Sequence, residues 1–103
     1  KYLEDRKPYL NPEFKITDMA RDLVSNRTYI SAFINREYGV NFNRFINSYR
    51  LKEVERLHAD AVQRKQKIPV LEIVLHAGFS NYRSYFRAKN MVKNEAVAIN
   101  QKM

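Results

Sequence analysis

The sequence predicts an all-α protein in which two helix-turn-helix units are joined by a long helix, with about seven helices in all. Only two glycines and three prolines occur among 103 residues, which is typical of helices connected by short turns. Apolar residues recur at helical spacing, and one such pattern occurs twice. A chain of this length has room for a single domain with one modest core.

The first unit is predicted within residues 1–40. Residues 1–7 are expected to form a short helix that Pro8 stops, followed by an extended connector over residues 9–12. Two helices follow, the second over residues 27–38, and the pair Ser25-Asn26 before it can cap its free N–H groups. At spacings of three and four residues, the predicted inward side chains are those of Ile16, Met19, Ala20, Leu23, Ile30, Phe33 and Ile34.

The second unit, within residues 63–103, repeats the first. The i, i+3, i+4, i+7 pattern returns at an offset of 54, and the pair Ser80-Asn81 follows at an offset of 55, so the second turn is predicted to be one residue longer. Its second helix is expected over residues 82–91, with Tyr85 and Ala88 inward. The repeated apolar residues are Val70, Ile73, Val74 and Ala77.

Residues 41–62 between the units are predicted to form one long linking helix. Gly39 ends the helix before it, where a left-handed residue is favourable, and Pro69 suits the first turn of the helix after it. Arg50 interrupts the apolar stripe of this helix and is expected to pair with a carboxylate in the domain. The stripe consists of Phe42, Phe45, Ile46, Tyr49, Val54, Leu57 and Ala61.

Charge and composition restrict the function. The formal charge is +8, from 19 Lys and Arg against 11 Asp and Glu, which favours a polyanionic partner without distinguishing DNA, RNA and anionic lipid. The chain has no cysteine, no glycine-rich phosphate loop and no metal-binding spacing around His58 or His76, which are predicted to lie at the surface. We therefore expect no metal, no cofactor, no small-molecule ligand and no enzymatic activity. No apolar run reaches membrane-spanning length and no signal peptide precedes the domain, so a cytoplasmic location is expected.

Helix-turn-helix units place their second helix in the major groove of duplex DNA, led by its N-terminal half. Arginine can bind guanine through two hydrogen bonds, asparagine can bind adenine, and threonine can contact a thymine methyl group. A linking helix of about 30 Å could hold two such helices about one turn of DNA apart. Arg83 and Arg87 are the favoured base readers, because i and i+4 share a face. The outward candidates are Arg27, Thr28, Ser31, Asn35 and Arg36 in the first unit, and Tyr82, Arg83, Phe86, Arg87 and Asn90 in the second.

Some of these residues have a second interpretation. Ser25, Asn26, Ser80 and Asn81 could bind phosphates, although capping alone would explain them. Phe86 could contact thymine methyl groups or pack against the final helix.

At these residues the chain resembles the AraC/XylS family of bacterial transcription activators. Ile73-Val74 through Gly78-Phe79-Ser80, with Arg83-Ser84-Tyr85 and Arg87, resembles the second helix-turn-helix of that family. Residues 8–57 more closely resemble the output domains of Bacteroidetes hybrid two-component sensors. The resemblance is carried by Pro8-Tyr9-Leu10-Asn11-Pro12, Asn26-Arg27-Thr28-Tyr29-Ile30-Ser31, Ile34-Asn35-Arg36-Glu37-Tyr38-Gly39, and Asn41-Phe42 through Phe45-Ile46-Asn47-Ser48-Tyr49-Arg50.

The resemblance implies two units joined by a long helix, with both second helices in major grooves. It implies control by a sensor or effector domain in a longer parent protein, and a cytoplasmic location that can include tethering to the inner membrane. RNA polymerase is a further partner to be considered for the domain. The positions that the resemblance marks as base-contacting are Arg27, Thr28, Ser31, Ala32, Arg36, Tyr82, Arg83 and Arg87.

The chain departs from the family pattern at three places. Val24 stands where the first turn usually has glycine, and Lys89 stands where a core phenylalanine is usual. Residues 94–97 replace a closing Gly-x-Thr-Pro element, and Asn94 could take its left-handed position. We therefore expect the last helix to be short, shifted or frayed.

Two other functions remain open from the sequence. A helical protein-interaction module would explain the helices without specific DNA binding, and it predicts no salt-sensitive duplex binding. A non-specific nucleic-acid binder would explain the charge, and competitor DNA would abolish its discrimination.

Overall fold

The chain is all-helical, as predicted. The computed structural model describes the backbone of residues 2–102 and the side chains of residues 2–92. It is 74% helical, and the described part of the chain has no strand. The elements are α1 (Tyr2–Arg6), a 3-10 helix (Pro8–Leu10), α2 (Ile16–Asp22), α3 (Arg27–Tyr38), α4 (Phe42–Gln63), α5 (Val70–His76) and α6 (Tyr82–Lys102).

Asparagine side chains start three of these helices. Asn26 accepts a hydrogen bond from the backbone N–H of Tyr29 at 2.8 Å, and Asn81 accepts one from Ser84 at 2.8 Å. Asn41 caps α4 in the same way. In each Ser-Asn pair the asparagine is therefore the cap, which satisfies a donor that the first turn of a helix leaves unpaired.

Two apolar clusters lie along α4. The first surrounds Ile34 and Ile46 and combines side chains from α1, the 3-10 helix, α2, α3 and the first part of α4. The second surrounds Val74 and combines the later part of α4 with α5, α6 and the turn between them. The linking helix thus contributes to the core beneath both helix-turn-helix units.

Three residues predicted to be inward are exposed. Leu23 lies just after the last residue of α2 and Val70 is the first residue of α5, so both sit at helix ends beyond the core contact. Phe33 lies at the side of α3, where its ring stacks on Tyr29 and the guanidinium of Arg36 lies over it. Helical spacing placed these residues on the correct side of each helix but did not show how far the covering elements extend.

Residues 8–12 differ from the predicted extended connector. Pro8 begins a 3-10 helix instead, because its fixed φ angle suits a first helical position. Among the described side chains Arg50 pairs with no carboxylate: its Nε donates to the carbonyl of Tyr9 at 2.8 Å, and its Nη2 donates to the carbonyl of Asn11 at 3.1 Å. Burial lowers the pKa of Arg50. The guanidinium therefore joins the 3-10 helix to α4.

The last helix is longer than predicted. α6 continues for 21 residues through position 94 instead of ending near Met91, because residues 79–103 contain neither glycine nor proline to stop it. Lys89, at the usual phenylalanine position, lies with its Nζ 5.9 Å from the ring centroid of Tyr85.

Despite the lengths of α4 and α6, no helix within the described residues is apolar enough to cross a membrane.

Candidate nucleic-acid interface

The pairs α2–α3 and α5–α6 are equivalent helix-turn-helix units. Residues 23–26 connect the first pair and residues 77–81 connect the second, so the second turn is one residue longer, as predicted. Val24 and Gly78, which are 54 positions apart, both have a positive φ, at 52° and 103°. Val24 therefore adopts the left-handed conformation that its glycine counterpart adopts more easily.

Gly78 is packed where Val24 is open to solvent. A Cβ atom at position 78 would overlap the carbonyl oxygen of Tyr9 and lie 3.0 Å from Nε of Arg50. The Val24 side chain, in contrast, is 93% exposed. The turn of the second unit therefore contacts both the 3-10 helix and α4, which fixes the second unit against the first.

All twelve residues of the predicted interface are exposed. They form two groups, one along the first three turns of α3 and one over the first two turns of α6, each including the residues just before the helix. The first group is Asn26, Arg27, Thr28, Ser31, Ala32, Asn35 and Arg36, and the second is Ser80, Asn81, Tyr82, Arg83 and Arg87.

The outward faces of α3 and α6 correspond residue by residue at an offset of 55. Small side chains and one amide occupy this face in α3, whereas α6 carries two arginines and a phenyl ring there. We call these two sets the first and second reading faces. The corresponding pairs are Thr28 and Arg83, Ser31 and Phe86, Ala32 and Arg87, and Asn35 and Asn90.

The N-terminal parts of α3 and α6, which include the reading faces, carry basic side chains and no acidic ones. Residues 23–36 and 79–92 contain no Asp or Glu. Arg27, Arg83 and Arg87 make no ion pair with any side chain of residues 2–92. Because their charge is not neutralised locally, these guanidinium groups are available to phosphates and guanine edges.

Elsewhere, many acidic side chains have a basic partner close by. Asp18 pairs with Arg21 at 3.0 Å, and Asp60 pairs with Arg64 at 3.3 Å. Arg36 differs from the other interface arginines, because it pairs with Glu37 at 3.3 Å. The excess positive charge is therefore concentrated where the sequence predicts nucleic-acid contact.

Phe86 is an exposed member of the second reading face. Its side chain is 50% exposed, and its ring stacks on that of Tyr82 with centroids 6.3 Å apart. A different face of α6 packs against the core. Ala88 is buried there, and the ring of Tyr85 contacts that of Phe79. The outward register of Phe86 is therefore as predicted, whereas contact with thymine methyl groups stays a prediction.

A buried carboxylate anchors the first unit to α4 and lies apart from the reading faces. Glu53 accepts two hydrogen bonds of 2.8 Å from Arg56 and lies 3.6 Å from Nζ of Lys7. The hydrogen bonds from Arg56 are the largest cause of the lowered pKa of Glu53. This cluster is structural. The hydrogen bond that the Tyr49 hydroxyl donates to Glu4 is also structural. Burial, and after it this hydrogen bond, raise the pKa of Tyr49 to about 12.

An apolar groove lies between α4, α5 and α6. It has a volume of about 730 Å³, and both histidines are exposed, with His58 among its lining residues. Basic side chains from α4 and α6 accompany its apolar lining. Its lining residues include Leu51, Lys52, Val54, Ile73, Tyr85 and Lys89.

Comparison with known proteins identifies a similar fold. No protein-family model matches the chain, and no curated protein matches it. The solved structure of a protein of unknown function from Listeria innocua superimposes with a TM-score of 0.64 at 17% sequence identity, covering 84% of this chain and 75% of the other. At this identity the similarity concerns the fold alone.

Proposed function

We propose that this chain binds duplex DNA sequence-specifically, as the output domain of a larger signal-responsive transcription activator. One observation carries the proposal: two helix-turn-helix units expose the N-terminal parts of their second helices, which contain no acidic residue over positions 27–36 and 82–92. The arginines at positions 27, 83 and 87 have no ion pair among the side chains of residues 2–92. Helix N-termini, exposed arginines and major-groove geometry suit a duplex more than a single strand.

The two units support recognition of a composite site by one chain. α4 contains 22 residues, which corresponds to about 33 Å of helix, close to one turn of duplex DNA. The contacts of Gly78 and Arg50 with the 3-10 helix hold the two units in one arrangement. Two short motifs at fixed spacing are therefore the expected binding site.

Selection from random duplexes, followed by titration of binding against salt, tests this proposal. We expect a site with two motifs about one helical turn apart, whose affinity falls steeply as salt rises. Arg83→Ala or Arg87→Ala should weaken binding to that site by about 1–3 kcal/mol and random DNA much less. Lys65→Ala, in the loop between α4 and α5, serves as a matched charge control. Equal losses on selected and random DNA would refute base reading.

The resemblance to AraC/XylS activators supports a regulatory setting for this binding. In that setting a sensor or effector domain of the parent protein controls the domain, RNA polymerase is a further partner, and the protein lies in the cytoplasm or is tethered to the inner membrane. Dimerisation of the parent would add avidity that a single domain lacks.

The groove between α4, α5 and α6 favours a second candidate function, a helical protein-interaction module. Its apolar lining includes Leu51, Val54 and Ile73, and such a groove can accept an amphipathic helix. This function predicts that selection returns no preferred duplex and that no salt-sensitive binding to duplex DNA is found.

A further inference from the structure

At one pair of positions, the second reading face has an aromatic ring that the first lacks. Ser31 in α3 corresponds to Phe86 in α6, so a small hydroxyl in one unit is replaced by a phenyl ring in the other. Phe86 lies three residues after Arg83, and Arg87 lies four residues after Arg83, so both Phe86 and Arg87 are neighbours of Arg83 on the helix surface. The second unit therefore presents an apolar surface within a basic one.

This apolar surface extends to Tyr82. The two rings are stacked at an interplanar angle of 24°, and their side chains are 48% and 50% exposed. Neither ring belongs to the apolar cluster beneath the unit, in which Tyr85 and Ala88 represent α6. Burial of such exposed aromatic surface against a ligand would stabilise the complex, because removal of apolar area from water is favourable.

Duplex DNA offers one apolar group in the major groove, the 5-methyl group of thymine, and phenylalanine is among the side chains that contact it. The flanking Arg83 and Arg87, with no acidic residue over positions 79–92, favour an anionic ligand over an apolar peptide. We infer that Phe86, supported by Tyr82, reads a thymine methyl group in the half-site of α6, and that α3 has no equivalent contact. This inference rests on the proposed function and assigns a specificity determinant within it.

Aromatic exposure by itself does not mark the reading face. Phe33 and Tyr29 on α3 are also exposed and stacked. However, Phe33 follows Ser31 by two residues, which is about 200° around the helix, and the guanidinium of Arg36 covers its ring. Phe33 is therefore a matched control, since it is an exposed phenylalanine on a recognition helix but lies off the outward face.

The test replaces each thymine of the selected duplex in turn with uracil, which removes only the methyl group. With the unmodified protein, one or two substitutions within a single half-site should weaken binding about fourfold, the value expected for one buried methyl-sized group. Phe86→Ala should weaken binding to the thymine duplex by a similar factor and should bind thymine and uracil duplexes equally. Phe33→Ala should keep the full discrimination.

Phe86→Leu checks that the effect is apolar contact, and it should retain part of the discrimination. Circular dichroism of each variant confirms folding, which is expected because position 86 is half-exposed. The inference is overturned if no thymine responds to uracil, or if Phe86→Ala still discriminates. That result would leave the proposed function standing, whereas a selection that returns no preferred site would remove the proposed function and this inference together. Loss of discrimination in Phe33→Ala would assign the effect to a different surface.

Discussion

Replacing Gly78 with alanine tests whether the second turn is packed against the first unit. Gly78 and Gly39 both have positive φ angles, 103° and 69°, so alanine at either position incurs left-handed strain of about 1–2 kcal/mol. A Cβ at position 39 would meet nothing within 4 Å. At position 78 it would overlap the carbonyl oxygen of Tyr9 and approach Cα of Leu10 at 3.0 Å.

The difference between the two variants isolates the steric cost. Overpacking of a tight contact costs about 1–3 kcal/mol, so we expect Gly39→Ala to lose about 1–2 kcal/mol and Gly78→Ala about 2–5 kcal/mol. The atoms of Tyr9 and Leu10 that the added Cβ would meet belong to the backbone of the 3-10 helix, which cannot move aside as a flexible side chain could. The steric overlap is therefore not easily relieved. Because the added Cβ would also lie 3.0 Å from Nε of Arg50, the variant should weaken the hydrogen bonds that this guanidinium donates to the 3-10 helix.

Urea unfolding followed by circular dichroism measures both losses, provided that the slopes stay equal and the transitions remain two-state. If Gly78→Ala loses no more free energy of unfolding than Gly39→Ala, then Gly78 does not pack against Tyr9. In that case the fixed arrangement of the two units would have no support from this contact.

Two further predictions concern stability. Val24→Gly should raise the free energy of unfolding by about 0.5–1 kcal/mol, because relief of left-handed strain exceeds the greater freedom of glycine in the unfolded chain; an unchanged urea midpoint would contradict this. Glu53→Gln should lower it by about 1 kcal/mol at neutral pH. Because the folded pKa of Glu53 lies below 4.5, its contribution is present above the unfolded pKa and lost as pH falls through the folded value. The difference from the unmodified protein should therefore shrink in acid, whereas Glu55→Gln, on the exposed side of α4, should have little effect at any pH.

Local sequence patterns were sufficient to predict the helices and the exposure of the candidate interface residues. The cap residues Asn26 and Asn81, the longer second turn and the exposure of all twelve predicted interface residues follow from spacing within ten or fifteen residues of chain. These features were predictable because capping and amphipathic periodicity depend on near neighbours. DNA binding by these residues stays a prediction.

Errors arose where helix ends and distant segments matter. Leu23, Phe33 and Val70 match the apolar period but are exposed, because the period does not report where the facing element ends. α6 continues past Met91, although a family pattern predicted an interruption, because its own sequence supplies no helix-breaking residue.

The sequence by itself therefore determined the repeated helix-turn-helix units, their capping and the side of each second helix that faces solvent. Only the tertiary structure decided how the two units are joined. The carbonyls that accept from Arg50 and the backbone that meets Gly78 lie about 40 and 70 residues away along the chain. Contacts of this kind depend on the positions of backbone groups in space, and a backbone carbonyl has no side-chain identity that a sequence pattern could reveal.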